Sequence, residues 1–112
     1  MPGPSNAPIG SVGYLFVLQV PVAAGSALAA NTSEERTYTV PGLQLGDVVN
    51  VCKPTFQAAV VIANARVSAA NTLAITFGNV GAGTPTLTAE NYLLSVVRHA
   101  FPTAAAIPIG IG

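Results

Sequence analysis

Residues 59 to 80 read AVVIANARVSAANTLAITFGNV, and their periodicity decides the fold. From Ala59 to Val67 the residues Ala59, Val61, Ala63, Ala65 and Val67 are apolar, with Asn64 and Arg66 between the later ones. One face of this segment is therefore expected to be buried toward its C-terminal half. After the short connection Ser68, Ala69, Ala70, Asn71, the alternation resumes, with Leu73, Ile75 and Phe77 on one side and Thr72, Ala74 and Thr76 on the other. A repeat of two is the repeat of a strand, and a loop this short joins two antiparallel strands into a hairpin.

Working outward, Gly78, Gly81, Gly83 and Pro85 mark a turn region, after which Glu90 to His99 alternates Tyr92, Leu94 and Val96 against Leu93, Ser95 and Val97. Upstream, DVVNVC at Asp47 to Cys52 is a strand stopped by Pro54, and PGLQLGD before it is a turn. Arg36 to Val40 alternates toward strand, while Asn31, Thr32, Ser33, Glu34 and Glu35 suit a solvated loop. Val22 to Ala30 is Ala-rich but interrupted by Gly25 and Ser26, which leaves loop or a short helix. Tyr14 to Val20 (YLFVLQV) is a run of β-formers ending at Pro21, fitting a strand buried on both faces or pressed against a neighbour. Six strands with closely spaced turns predict an all-β fold, a small antiparallel β-sandwich or jelly-roll-like domain over residues 14–99. The flanking residues 1–13 and 100–112 are rich in Pro and Gly and read as N- and C-terminal arms that gain order on another subunit, or else wrap this domain's own sheet edges.

Composition narrows the function. The 112 residues are 51% hydrophobic and only 7% charged, with four cations, four acids and one cysteine. The cations Arg36, Lys53, Arg66 and Arg98 are scattered singly, which argues against nucleic acid and against an anionic membrane surface as partners. No apolar run reaches the roughly 18 residues of a membrane span, and MPGPSNAPIG lacks a positive region ahead of an apolar one, so no secretion signal is expected. A lone Cys52 cannot close an intramolecular disulfide. Surfaces built for solubility carry roughly 25 to 35% charged residues, far more than this chain can supply. The shortage implies a surface occluded in an assembly.

Candidate chemistry is thin. His99 is the only His and Asp47 the only Asp, so a Ser, His, Asp trio can be written, but no G-x-S-x-G elbow supports it. Cys52 beside Lys53 reads more readily as a small buried hydrophobe than as a nucleophile. The His, Cys and acids show no ligand spacing, so no metal and no cofactor is expected. GNVGAG at Gly78 to Gly83 lacks the G-K-[ST] ending of a phosphate loop and reads as a strand connection.

The block from Thr37 to Arg98 contains TYTVPGLQLGDVVNVCKPTFQA, NARVSAANTLAITFGNV and TPTLTAENYLLSVVR. It resembles small virion structural proteins of tailed bacteriophages, in particular head decoration or cement proteins, most strongly in its GD-V-V-V-KP pattern and in ARVSAANTLAITF. These motifs are turn residues plus β-alternation and carry no activity of their own. The resemblance implies a structural protein, not an enzyme, made in the host cytoplasm and bound to the outer capsid surface of the virion. Its implied partners are the major capsid protein and copies of itself as a homotrimer. The arms match no motif of that family.

Two other readings compete. One is a tail-fibre or baseplate module that binds a host receptor, for which Asn31, Glu34, Glu35 and Tyr38 would be a polar and aromatic cluster. The other is a small enzyme or an inhibitor module, which would need His99 near Asp47 or Glu90. Interface residues are the expectation over site residues: Pro4, Ile9, Tyr14 and Phe16, then Arg66 and Arg98 as inter-subunit hydrogen-bond donors, and Phe101, Ile107, Ile109 and Ile111 as arm anchors. For the two arginines the plainer alternative is the polar face of a half-exposed sheet.

Overall fold

The computed structural model describes residues 12–99. Six strands follow one another: β1 (Val12–Val22), β2 (Thr32–Thr39), β3 (Val48–Cys52), β4 (Val60–Ala69), β5 (Thr72–Asn79) and β6 (Glu90–His99). They form two three-stranded sheets, here sheet A in the order β1-β6-β3 and sheet B in the order β2-β5-β4, and every pairing is antiparallel. The all-β expectation holds, and no helix forms among the described residues.

The core lies between the sheets. The middle strands supply its centre: Tyr92, Leu94 and Val96 from β6, and Leu73, Ile75 and Phe77 from β5, all without solvent exposure. Phe77 and Tyr92 meet edge to face, ring centroids 6.2 Å apart, the arrangement that the quadrupoles of two rings favour. Val20, Val22, Leu28, Leu43, Val49, Val67 and Leu87 close the rest of the layer. Each such side chain contributes about 1.5–3 kcal/mol relative to full exposure.

Strand β4 departs from the expected phase. The half after its irregularity is as read, with Ala65 and Val67 toward the core, but Val61 and Ala63 are exposed while Val60 and Ile62 pack inward. The register shift between Ile62 and Asn64 explains this: an extra residue in one strand flips the facing of everything before it. The β4–β5 connection shrinks to Ala70 and Asn71, and Asn71 takes the left-handed conformation (φ 62°) that asparagine tolerates. Asn71 also joins the hairpin to the β2–β3 loop. Its Oδ1 accepts from the Gly42 N–H (2.8 Å), its carbonyl from the Val40 N–H, and its own N–H donates to the Leu43 carbonyl.

Other boundaries shift for similar reasons. Thr32 to Glu35, read as a solvated loop, belong to β2, because the pairing of β2 with β5 outweighs their local preference. Pro21, read as a stop, lies within β1 opposite Asn91, which an edge position permits, since among the described residues one side of β1 carries no ladder. Residues 23–31 form a loop without a helix. Gly25 has φ 63°, and a Cβ there would stand 2.8 Å from Nη1 of Arg36, whose guanidinium donates to the Ala24 and Ser26 carbonyls. The loop is thus held from β2.

Candidate interaction surface

Antiparallel register fixes which side chains share a face. Since Tyr92, Leu94 and Val96 point inward, Leu93, Ser95 and Val97 of β6 point out, joined by their partners Leu15, Val17 and Gln19 of β1 and Val48, Asn50 and Cys52 of β3. Four of the apolar members are open to solvent: Leu15 and Val17 at 67% exposure, Val48 at 52% and Leu93 at 44%. No charged residue stands among these nine. The outer face of sheet B is its opposite in chemistry, with Glu35 and Thr37 of β2, Thr72 and Thr76 of β5, and Asn64 and Arg66 of β4. Arg66 donates from Nε and Nη2 to both carboxylate oxygens of Glu35 (2.9 and 3.0 Å), so this pair bridges the flanking strands across β5.

Every Lys, Arg, Asp and Glu side chain is paired within the chain. The four cations and four acids form four ion pairs: Arg36 with Glu34, Lys53 with Glu90, Arg66 with Glu35, and Arg98 with Asp47. The Arg66 guanidinium holds the Glu35 carboxyl below its ordinary range, and Glu35 in turn raises Arg66. Hydrogen bonds from Lys53, and then from Thr55, hold Glu90 below the usual carboxylate range. The Lys53–Glu90 pair ties the segment after β3 to the start of β6. Pairing at short range leaves little field at a distance.

Beside this face lies a second feature. The inward side chains of β1 do not all reach the core: Phe16 is half-buried and Leu18 exposed. With Pro41, Gly42, Leu43 and Arg98 they line an open hollow of ≈ 290 Å³. The Arg98 guanidinium lies 5.3 Å from the centroid of the Phe16 ring, a cation–π contact. Strand β1 thus exposes Leu15 and Val17 on one side and Leu18 on the other. Of the two expectations for this strand, burial on both faces or contact with a neighbour, the first is not met among the described residues, where β1 is the edge of its three-stranded sheet.

Of the residues expected at interfaces, Tyr14 opens the regular register of β1 opposite Arg98, and Phe16 sits under that arginine. Arg66 and Arg98 both pair within the chain. Pro4, Ile9, Phe101, Ile107, Ile109 and Ile111 lie outside the described residues. The expected domain start at residue 14 falls inside β1, which begins at Val12. His99 ends β6, while the carboxylates of Asp47 and Glu90 are engaged by Arg98 and by Lys53 with Thr55. Cys52, read as a buried hydrophobe, is exposed, because it occupies an outward position of β3 opposite Leu93. Gly78 and Asn79 of the GNVGAG segment finish β5. Among the described residues no three of His, Cys, Asp and Glu gather as metal ligands. What sequence reasoning missed was the outer face of sheet A as a surface. Its signal was present in the alternation of β6, where Leu93 and Val97 repeat on the side opposite Tyr92, Leu94 and Val96.

Comparison with protein-family models, with curated proteins and with solved structures finds nothing that matches this chain.

Proposed function

We propose that this chain is a structural virion protein that docks on the outer surface of a bacteriophage capsid and cements neighbouring shell subunits, acting by binding and not by chemistry. The observation that carries the proposal is the outer face of sheet A, with Leu15, Val17, Val48 and Leu93 exposed and no charge among its nine residues. Interface cores are depleted of charge in this way, whereas a free surface seldom is. The internal pairing of all eight charges supports the same reading, because it leaves apolar contact as the means of attachment. The resemblance of the Thr37 to Arg98 block to head decoration proteins supplies the identity of the partner, the major capsid protein.

The test is the number of copies of this chain per purified particle, measured by mass spectrometry against the major shell protein, together with rebinding of the purified chain to particles that lack it. A copy number comparable to the shell protein is expected, and Leu93→Lys is expected to weaken rebinding by at least about tenfold, as loss of an interface anchor does. A few copies per particle would transfer the chain to the tail or its fibres. Complete absence from particles would end the virion reading.

A further inference from the structure

We draw no further inference here: the strongest candidate, the loop between β3 and β4 that holds Phe56 92% exposed on a backbone fixed by the hydrogen bonds of Lys53 and Thr55 to Glu90 and of Gln57 with Thr86 and Thr88, carries none because nothing in the structure shows what covers it.

Discussion

Arg98 donates from Nε to Oδ1 of Asp47 at 2.9 Å and from Nη2 to Oδ2 at 2.8 Å, a two-pronged pair between the last strand and the first residue before β3. The Asp47 side chain is almost wholly buried, and its Oδ2 also accepts the Gln44 N–H, so this carboxylate shapes the β2–β3 turn as well. Removing Asp47 takes both carboxylate contacts from a mostly buried guanidinium and the acceptor from the Gln44 N–H. Asp47→Ala is therefore expected to destabilise the chain by about 3–5 kcal/mol, measured by urea unfolding. A loss below 1 kcal/mol would show that the pair is solvated in solution.

Asn79 is a buried polar residue at the end of β5. Its Nδ2 lies 3.2, 3.1 and 2.8 Å from the carbonyls of Leu28, Ala29 and Gly83, and its Oδ1 accepts the Gly81 N–H. Two loops thus hang on one amide. Asn79→Asp replaces the donor with an anion facing three carbonyls, and its cost is expected to exceed the roughly 1–3 kcal/mol of Asn79→Ala. Equal melting temperatures for the two variants would contradict this.

Tyr92 is fully buried and its hydroxyl has no hydrogen-bond partner in the structure. Burial, with Glu90 adding to it, pushes its pKa up to about 12. The unfolded chain releases this proton near pH 10 while the folded chain keeps it, so stability is full below pH 10 and falls as pH rises toward 12, by up to about 1.4 kcal/mol per unit. Tyr92→Phe removes an unsatisfied polar group at nearly constant shape, and is expected to be neutral or stabilising at pH 7 and to flatten the alkaline loss. Tyr38, raised by partial burial, leaves a smaller residue of that loss. Unfolding curves at pH 7 and pH 11 for both chains decide the matter.

Docking through the outer face of sheet A is expected to keep its strength in 0.5 M sodium chloride, about half the concentration at which screening reaches 3 Å, and to strengthen in ammonium sulfate, which favours apolar burial. Binding lost on moderate addition of sodium chloride would point to a charged contact elsewhere.

Cys52 stands on that same face opposite Leu93 and is exposed. A bulky maleimide is expected to label it in the folded chain without denaturant, and the labelled chain to dock at least about tenfold more weakly. Labelling only after unfolding would place the thiol inside.

Legibility followed periodicity. The strand from Glu90 to His99 and its two faces could be read residue by residue, since nothing interrupts the alternation and both faces differ in composition. Strand β4 could not, because a bulge between Ile62 and Asn64 leaves no mark on composition yet inverts the phase of Val60 to Ala63. Likewise Thr32 to Glu35 look like loop until β5 is known to lie beside them. Arg66 and Arg98 were found as isolated cations, but their partners Glu35 and Asp47 stand 31 and 51 residues away. Only the topology brings such residues together.

The pairing of β1 with β6, Val12 opposite His99, joins the first described strand to the last. This sets the order of events as the chain is made. The β4–β5 hairpin closes locally through a two-residue loop, whereas sheet A stays open until Glu90 to His99 has been synthesised. High contact order of this kind slows folding. Through that interval Leu15 to Gln19 are exposed without the strand that will flank them, the state in which an apolar segment is most open to wrong contacts.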